Sequence, residues 1–142
     1  MIGSINTIMA TLKGKRSRIY SDIDMDFNVN AVTGDIGKKL DVNAVKQSLK
    51  NLILTQPFEK PFHPEIGSQV YGLLFEPLDP LTAETMATVI GNIVDNWEPR
   101  VRLEFIKIDP DYDNNSYHMK LQFDIRGVNQ PQTLEANLAR LR

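Results

Sequence analysis

The residues of this sequence that could carry out chemistry are mainly carboxylates. The chain of 142 residues has no cysteine and two histidines, which excludes disulfides, thiolate nucleophiles and thiolate zinc sites. It also lacks a phosphate-binding glycine loop, a Gly-x-Ser-x-Gly elbow and a His-Glu-x-x-His helix. We therefore predict that the protein is not an enzyme and that it has no catalytic residue, no metal site and no cofactor.

One carboxylate, Glu98, has a neighbour that could turn it into an acid catalyst. It directly follows Trp97, and a carboxyl group pressed against an indole in a dry pocket can have a raised pKa. A glycosidase also needs a second carboxylate at a defined distance, for which Asp95 and Asp109 are the candidates. The alternative function is therefore a lysozyme-like glycosidase that acts on the cell wall with Glu98 as the acid. The simpler interpretation is that Trp97 ends a buried helix face and Glu98 stands at the helix terminus.

The segment from Asp109 to Lys120 partly resembles a calcium-binding loop, with acidic residues at its first, third and fifth positions. Its sixth position holds Asn114 where the loop needs glycine. Its twelfth holds Lys120 where the loop needs a glutamate that binds through both oxygens. Because Asp, Asn and Pro are common in hairpin turns, we predict a turn between two strands here.

The triplet Glu98-Pro99-Arg100 places opposite charges on either side of a proline. A residue before proline favours extended geometry, and side chains two residues apart in an extended segment project to the same side. The apolar residues of the following strand alternate in the opposite phase, so we expect the charged pair to face outward. Such a pair forms either a local ion pair or a docking point for another chain.

Two amphipathic helices must position this triplet. The first is predicted to start at an Asp41 cap and to run to about Thr55, before Pro57. The second is predicted to start at a Thr82 cap and to end before Pro99. Its apolar residues recur at helical spacing, at positions Met86, Val89, Ile90, Ile93, Val94 and Trp97.

The segments that flank the first helix are less regular. Residues 20–27 alternate polar and apolar side chains, which predicts a half-buried extended segment. Its three aspartates lie on one face and are interpreted as exposed to solvent or directed at a basic partner. Residues 57–67 contain three prolines and apolar side chains between them, so this loop is expected to pack. A short helix is predicted over residues 67–75.

After Pro99 the period changes to two, which predicts antiparallel strands over 101–108 and 116–126. The doublet Phe105-Ile106 breaks the alternation and predicts a β-bulge. Periodicity leaves the tail open between a helix and an edge strand. The predicted fold class is α+β, a single small domain with two main amphipathic helices packed on a small antiparallel sheet. That sheet consists of the hairpin, with the tail as a third strand if it is extended.

The domain is predicted to cover residues 20–142, preceded by a basic, flexible arm over residues 1–19. The net charge is −2, but four basic residues cluster within the arm, at Lys13, Lys15, Arg16 and Arg18. We do not expect nucleic-acid binding, because the arm lacks interleaved aromatic side chains. We do not expect a membrane span either, because the longest apolar runs are too short to cross a bilayer.

Several motifs in order resemble the small baseplate wedge subunit of contractile-tailed bacteriophages. This family includes the sheath initiator of T-even-like phages and has a relative in type VI secretion baseplates. The Glu98-Pro99-Arg100 triplet is its hallmark. The other motifs are Tyr20-Ser21-Asp22-Ile23-Asp24, Pro61-Phe62-His63-Pro64-Glu65-Ile66-Gly67, Leu74-Phe75-Glu76-Pro77 and Leu81-Thr82.

The resemblance implies a structural protein of the virion tail baseplate, assembled in the cytoplasm of the host bacterium. Its partners would be other wedge proteins and tail-sheath subunits, in six-fold placement and without a small-molecule substrate. The protein would join the wedge and start polymerisation of the sheath around the tail tube.

By the same resemblance, Glu98, Pro99 and Arg100 would contact the helical bundle at the wedge core. A strand edge offers backbone groups to an incoming chain. We therefore predict a sheath-facing surface on the strands over 101–108 and 116–126, with the tail if it is extended. Its side chains on the second strand and the tail are Tyr117, Met119, Leu121, Phe123, Ile125, Leu134 and Leu138.

Overall fold

Helices on one side of a three-stranded antiparallel sheet enclose the hydrophobic core. The computed structural model describes residues 20–128 and 130–139. The predicted α+β class is confirmed. In chain order the elements are β1 Ser21–Ile23, β2 Lys38–Leu40, α1 Val42–Leu54, α2 Val70–Leu73, α3 Pro80–Trp97, β3 Val101–Asp111, β4 Ser116–Ile125 and β5 Gln132–Ala139.

The two long helices have the predicted apolar faces, but their N-termini differ from the prediction. Helix α1 begins after Asp41 without a side-chain cap from that residue. Helix α3 begins at Pro80 and not at a Thr82 cap. The carboxylate of Asp79 accepts a hydrogen bond from the backbone N–H of Thr82 at 2.6 Å. The predicted Thr82 cap is therefore wrong, because Pro80 already has the φ of a first helical residue and Asp79 caps it.

Strand β4 is the centre of the main sheet, with β3 and β5 on either side. The register between β3 and β4 shifts between Leu103 and Phe105, so the predicted bulge exists one residue earlier than expected. Phe105 consequently points outward, while Ile108 is buried. The tail is a strand antiparallel to β4, which resolves the open choice between helix and strand.

The core lies between this sheet and the helices. Helix α3 packs on β3, and α1 and α2 pack on α3. Fully buried side chains from the sheet and the helices form one cluster, which includes Leu49, Met86, Ile90, Leu121 and Phe123. Among the described helices, none combines the length and apolar character that a bilayer span requires.

The N-terminal part of the described chain forms a small hairpin of its own, in which β1 pairs with β2. The predicted extended segment over residues 20–27 is thus a strand only over its first part. Its phase is also reversed, because Ile23 and Met25 are exposed whereas Asp24 is buried. The Asp24 carboxylate lies 3.0 Å from the ammonium group of Lys39 and accepts a bond from Asn28. Apart from Tyr20, which packs against the core, polar contacts hold this segment in place.

The proline-rich loop after α1 also differs from the prediction. Its backbone is hydrogen-bonded, but its two phenylalanines do not pack on the core. Phe58 is 84% exposed and Phe62 is 96% exposed. The expectation that this apolar loop packs is therefore wrong for both aromatic rings.

Candidate functional site

The predicted charged pair lies at the junction between α3 and β3. Helix α3 ends at Trp97, and the backbone N–H of Val101 donates to the carbonyl of Glu98 at 3.1 Å. The chain therefore turns tightly at Pro99, and Glu98 does not have extended geometry, with ψ at 76°. Within this turn Glu98 is only 3% exposed, while Pro99 lies at the surface.

Glu98 and Arg100 form a two-pronged ion pair inside the chain. The Nε and Nη2 atoms of Arg100 donate to Oε1 and Oε2 of Glu98 at 2.6 and 2.7 Å. The hydroxyl of Ser48 donates to the same Oε2 at 2.7 Å. The prediction that both side chains face outward is wrong for Glu98, because the turn directs its carboxylate toward α1. Of the two alternatives that the sequence left open, the local ion pair is present.

Arg100 connects this pair to the N-terminal hairpin. Its guanidinium lies over the ring of Tyr20, 5.5 Å from the centroid, and its Nη1 lies 3.7 Å from a carboxylate oxygen of Asp22. The hydroxyl of Tyr20 donates to the backbone carbonyl of Arg126 at 3.2 Å. The guanidinium side chain keeps 26% of its surface exposed. Residues from the N-terminal hairpin, from α1 and from the turn between α3 and β3 thus meet at one polar cluster.

Sequence reasoning found part of this cluster and missed the rest. For the aspartate face of residues 20–27 the sequence left open exposure to solvent or a basic partner, and Asp22 has a basic neighbour within the chain, Arg100. Ser48 gave no signal, because a serine at the edge of an amphipathic helix is common and its contact with Glu98 spans 50 residues of sequence. Only the packing of α1 against the end of α3 brings the two together.

The environment of Glu98 favours its ionised form. Burial raises the pKa of this carboxyl group, but the hydrogen bonds from Arg100 and Ser48 outweigh that effect and hold the pKa below its ordinary value. The carboxylate in turn raises the pKa of Arg100. A general acid needs a raised pKa at neutral pH, so the geometry does not support the use of Glu98 as a glycosidase acid.

The second carboxylate of the glycosidase alternative is not supported either. Asp109 binds Lys107 at 2.6 Å, far along β3 and roughly 25 Å from its start. The known mechanisms need carboxyl groups about 5 to 10 Å apart. Asp95 lines a different surface depression from the groove beside Glu98. Neither candidate partner therefore lines the groove beside Glu98.

The segment that resembled a calcium loop is the tight turn between β3 and β4. The Asp111 carboxylate accepts hydrogen bonds from the backbone of Asp113 and Asn114 and from the Asn114 side chain. Within residues 20–128 and 130–139, no group of three or more acidic or histidine side chains is arranged to hold a metal ion.

An open groove of about 660 Å³ lies beside the buried pair. Its apolar wall consists of side chains from the hairpin, α1, the proline-rich loop and α3, namely Ile23, Met25, Leu52, Ile66 and Trp97. The indole of Trp97 is 39% exposed, and Glu98 and Ser48 line the same groove. Polar and charged side chains line the rest of the groove, among them Asp22, Gln47 and Lys60, so its surface is mixed and the Glu98 carboxylate lies at its margin.

The strand side chains that we predicted to face the sheath are part of the core. The seven positions were Tyr117, Met119, Leu121, Phe123, Ile125, Leu134 and Leu138, and all except the half-buried Leu134 are buried. The prediction of a side-chain surface is wrong, because the pleat directs these residues into the same cluster as the helices. A contact of this sheet with another chain would have to use backbone groups or the outward side chains.

The backbone groups that remain for such a contact lie at the sheet margins. Strand β4 is paired on both sides, with β3 and with β5. Among the described residues, β5 pairs only with β4. Its outer edge over Gln132–Ala139 therefore presents main-chain donors and acceptors along eight residues. Strand β3 likewise pairs only with β4 in the described part of the chain, so β3 and β5 are the two margins of this sheet.

Comparison with known proteins gives the family of this chain. A family model described as baseplate wedge protein gp25 matches residues 41–132. The chain belongs to this family. Baseplate wedge protein gp25 of Enterobacteria phage T4 is 32% identical to it over 123 residues, covering 84% of this chain and 88% of that protein. The predicted resemblance is confirmed, and the chain is a structural component of the baseplate of a contractile phage tail, within the virion.

Two solved structures with low sequence identity share the fold of this gp25 family member. A chain of the anti-feeding prophage baseplate has a TM-score of 0.59 and 19% identity, covering 87% of each chain. A putative tail lysozyme from Geobacter sulfurreducens has a TM-score of 0.62 and 16% identity, covering 69% of this chain and 89% of that one. The fold therefore occurs in chains with different descriptions, and function has to be argued from the site.

Proposed function

We propose that this baseplate wedge protein starts sheath polymerisation through the outer edge of β5. The observation that supports the proposal is the eight-residue strand Gln132–Ala139, which within the described chain is paired on one side only. A strand with one unpaired margin accepts a strand from another chain by β-augmentation. Sheath subunits that add strands there would continue the sheet. Six-fold placement of this edge would come from the symmetry of the baseplate.

The edge can be tested with a proline at each of two adjacent positions, Glu135→Pro and Ala136→Pro. Successive N–H groups of an antiparallel strand alternate between its two sides. One of the two prolines therefore removes a bond to β4, while the other removes a donor from the outer edge. Thermal melting of the purified variants distinguishes them, because only the variant that loses a hydrogen bond to β4 should have a strongly lowered melting temperature.

The variant that keeps its melting temperature is then assembled into tails. We expect bare tubes on complete baseplates by electron microscopy, because the sheath lacks its first strand contact. The destabilised variant serves as the control for loss of the fold. Full-length sheaths on tails that contain the stable variant would contradict the proposal.

The surface of Glu98-Pro99-Arg100 is proposed to contact the helical bundle at the core of the wedge. In this proposal the exposed ring of Pro99 and the accessible part of Arg100 touch the partner, while Glu98 is a positioning residue that holds the guanidinium. The support is the geometry, since the ion pair fixes the direction of Arg100 and places Pro99 at the surface. The neighbouring groove, which has apolar and polar side chains in its lining, adds contact area for a helix.

The substitution Pro99→Gln tests this contact. It removes the exposed ring, adds no charge beside the ion pair, and should change the free energy of unfolding by about 1 kcal/mol or less. We expect the variant to fold and to be missing from assembled wedges. The matched control is Glu84→Gln, an exposed position at the other end of α3, which should be incorporated normally. Equal incorporation of both variants would contradict the assignment.

We infer that the chain has a structural and not a hydrolytic role in the tail. The supporting observation is the Glu98 carboxylate, which is occupied by Arg100 and Ser48 and has a lowered pKa. Purified protein should therefore release no soluble fragments from cell-wall peptidoglycan. Release that disappears in Glu98→Gln but persists in the control Asp109→Asn would contradict this inference.

A further inference from the structure

The loop between α1 and α2 exposes two phenylalanines on a fixed backbone. Hydrogen bonds cross the loop from the Phe58 N–H to the Pro64 carbonyl at 3.0 Å and from the Ser68 N–H to the Thr55 carbonyl at 2.7 Å. Further bonds join His63 to Lys60 and Ile66 to His63. The loop carries Pro57, Pro61 and Pro64, each of which fixes one φ angle. The two rings are thus exposed by a rigid segment.

The backbone at both phenylalanines has an unfavourable conformation. Phe58 has a φ of 68° and Phe62 has a φ of 67°, in the left-handed region that bulky side chains rarely adopt. Glycine or asparagine would fit these positions with less strain. Packing of the two rings within the chain offsets little of this strain, since 84% of Phe58 and 96% of Phe62 is exposed to solvent. Local strain combined with exposure points to a use outside the chain.

The surroundings of the rings define the kind of partner. Phe58 borders a shallow depression of about 340 Å³ whose walls include Pro64 from the loop and Val89 and Ile93 from α3. The loop also carries charged groups between its aromatic side chains, and the Glu65 carboxylate contacts the His63 ring at 3.1 Å. Its own backbone N–H and His63 lower the pKa of Glu65. Apolar anchors with a polar rim are typical of protein interfaces.

We propose that Phe58 and Phe62 are anchor residues that insert into apolar pockets of another protein of the baseplate. A lipid surface fits less well, because acidic side chains beside the rings would have to enter the headgroup region. Each pocket would accept one phenyl ring and would have polar groups at its rim. The Phe58 ring and the adjoining depression on α3 would be covered together. This contact is separate from the β5 edge and from the Pro99 surface. The proposal for the phenylalanines can therefore fail while the other two hold, and the reverse.

The substitution Phe62→Gly separates docking from folding. It removes the ring and relieves the left-handed backbone, so the purified full-length chain should be at least as heat-stable as the wild type. Equal amounts of variant and wild-type chain are then produced together, and their ratio in purified baseplates is measured by mass spectrometry. We expect the variant to be incorporated at least about tenfold less than the wild type.

The matched control is Asn115→Gly in the turn between β3 and β4. Asn115 also has a positive φ, of 49°, so glycine relieves the same kind of strain without removing an aromatic ring. Its incorporation should be unchanged. Phe62→Leu, which keeps an apolar side chain, should recover part of the incorporation. Wild-type incorporation of Phe62→Gly would overturn the proposal, and so would a loss of heat stability in that variant, since it would mean that the ring supports its own chain.

A photo-crosslinking phenylalanine analogue at position 58 identifies the occupant. We expect covalent adducts with apolar side chains of a different baseplate protein in assembled particles. Adducts confined to the chain itself would overturn the proposal. Vesicles of phosphatidylglycerol and phosphatidylethanolamine test the lipid alternative by co-sedimentation. Binding that is lost in the double variant Phe58→Ala/Phe62→Ala would favour a membrane and overturn the protein partner.

Discussion

At the scale of single residues, the Glu98–Arg100 pair is best understood as a connection inside the molecule. Its carboxylate accepts three hydrogen bonds from two side chains, and its guanidinium also covers Tyr20. The spacing of the two residues predicted their meeting. It could not predict the direction, because that depends on the turn at Pro99 and on Ser48, which is far away in sequence. The hallmark triplet therefore has a folding role before any role in assembly.

This role predicts a strong loss of stability in Arg100→Met. The change leaves a carboxylate buried without its main partner, which costs roughly 3 kcal/mol of unfolding free energy. The double variant Glu98→Gln/Arg100→Met removes both charges and should lose clearly less than the sum of the two single changes. Urea unfolding of the four proteins measures this double-mutant cycle. Additive losses would mean that the two side chains do not act as a pair.

The hydroxyl of Ser48 gives a smaller, separate prediction. Ser48→Ala removes one hydrogen bond to an ionised group and should cost about 1 to 2 kcal/mol. Ser48→Thr keeps the hydroxyl and is the control, although its added methyl group has to fit beside α3. Urea unfolding measures both variants. A Ser48→Ala protein as stable as the wild type would show that the bond contributes nothing.

At the scale of elements, periodicity predicted the long helices and the hairpin well, because each has one face in the core. It failed where polar contacts or loop bonds replace an apolar face. The hairpin of residues 20–40 is organised around Asp24 and Lys39, and the loop of residues 56–67 around backbone bonds. Neither arrangement produces a periodic pattern of apolar residues in the sequence. For that reason the expectation that the loop packs failed at both phenylalanines.

The loop conformation depends on Gly67. A Cβ atom at this position would lie 2.5 Å from the backbone of Gln56 and Pro57, which is too close for any real contact. Gly67→Ala should therefore displace the loop and cost about 1 to 3 kcal/mol. Gly91→Ala is the matched control within α3. There the new atom meets only Ile106 at 3.5 Å, and the helix should gain up to about 1 kcal/mol.

Thermal unfolding of the two glycine variants compares them directly. Amide hydrogen exchange should also rise at Phe58 and Ser68 in Gly67→Ala, because their N–H groups close the loop. Unchanged exchange at these amides in Gly67→Ala would contradict the close approach of position 67 to the backbone of Gln56 and Pro57.

At the scale of the whole molecule, several carboxyl groups between the N-terminal hairpin and β5 have lowered pKa values. Bonds from Lys39, from the Asp26 backbone and from Asn28 lower the pKa of Asp24 to about 2. The pKa values of Asp79, Glu98, Asp111 and Glu135 are also lowered. A carboxyl group with a lowered pKa stabilises the fold at pH values above its ordinary pKa. This stability is lost as the pH falls toward the pKa of the group in the folded state.

We therefore expect the melting temperature to be nearly constant around neutral pH and to fall as the pH is lowered from about 4 to 2. Asp24→Asn should melt lower at neutral pH and should show a shallower fall in acid. Scanning calorimetry across this range measures both proteins. A melting temperature that rises on acidification would contradict the sign of the linkage.

The whole-molecule prediction from sequence was right about the class and the family and wrong about which face is available. Alternation identified the apolar residues of β4 but could not tell whether they meet their own helices or another chain. The core side chains of β4 and β5 face inward, and the free margins of the sheet within the described residues belong to β3 and β5. Residues 1–19, which we predicted to form a flexible basic arm, lie outside the described residues.

The position of Trp97 has a practical consequence for solution work. It is the only tryptophan of the chain, and its indole borders the groove beside the buried ion pair. Its fluorescence therefore comes from a single known location and needs no dye or tag. A partner that covers the groove should shift this emission to shorter wavelength, so titration in a fluorimeter can follow binding at that face in real time.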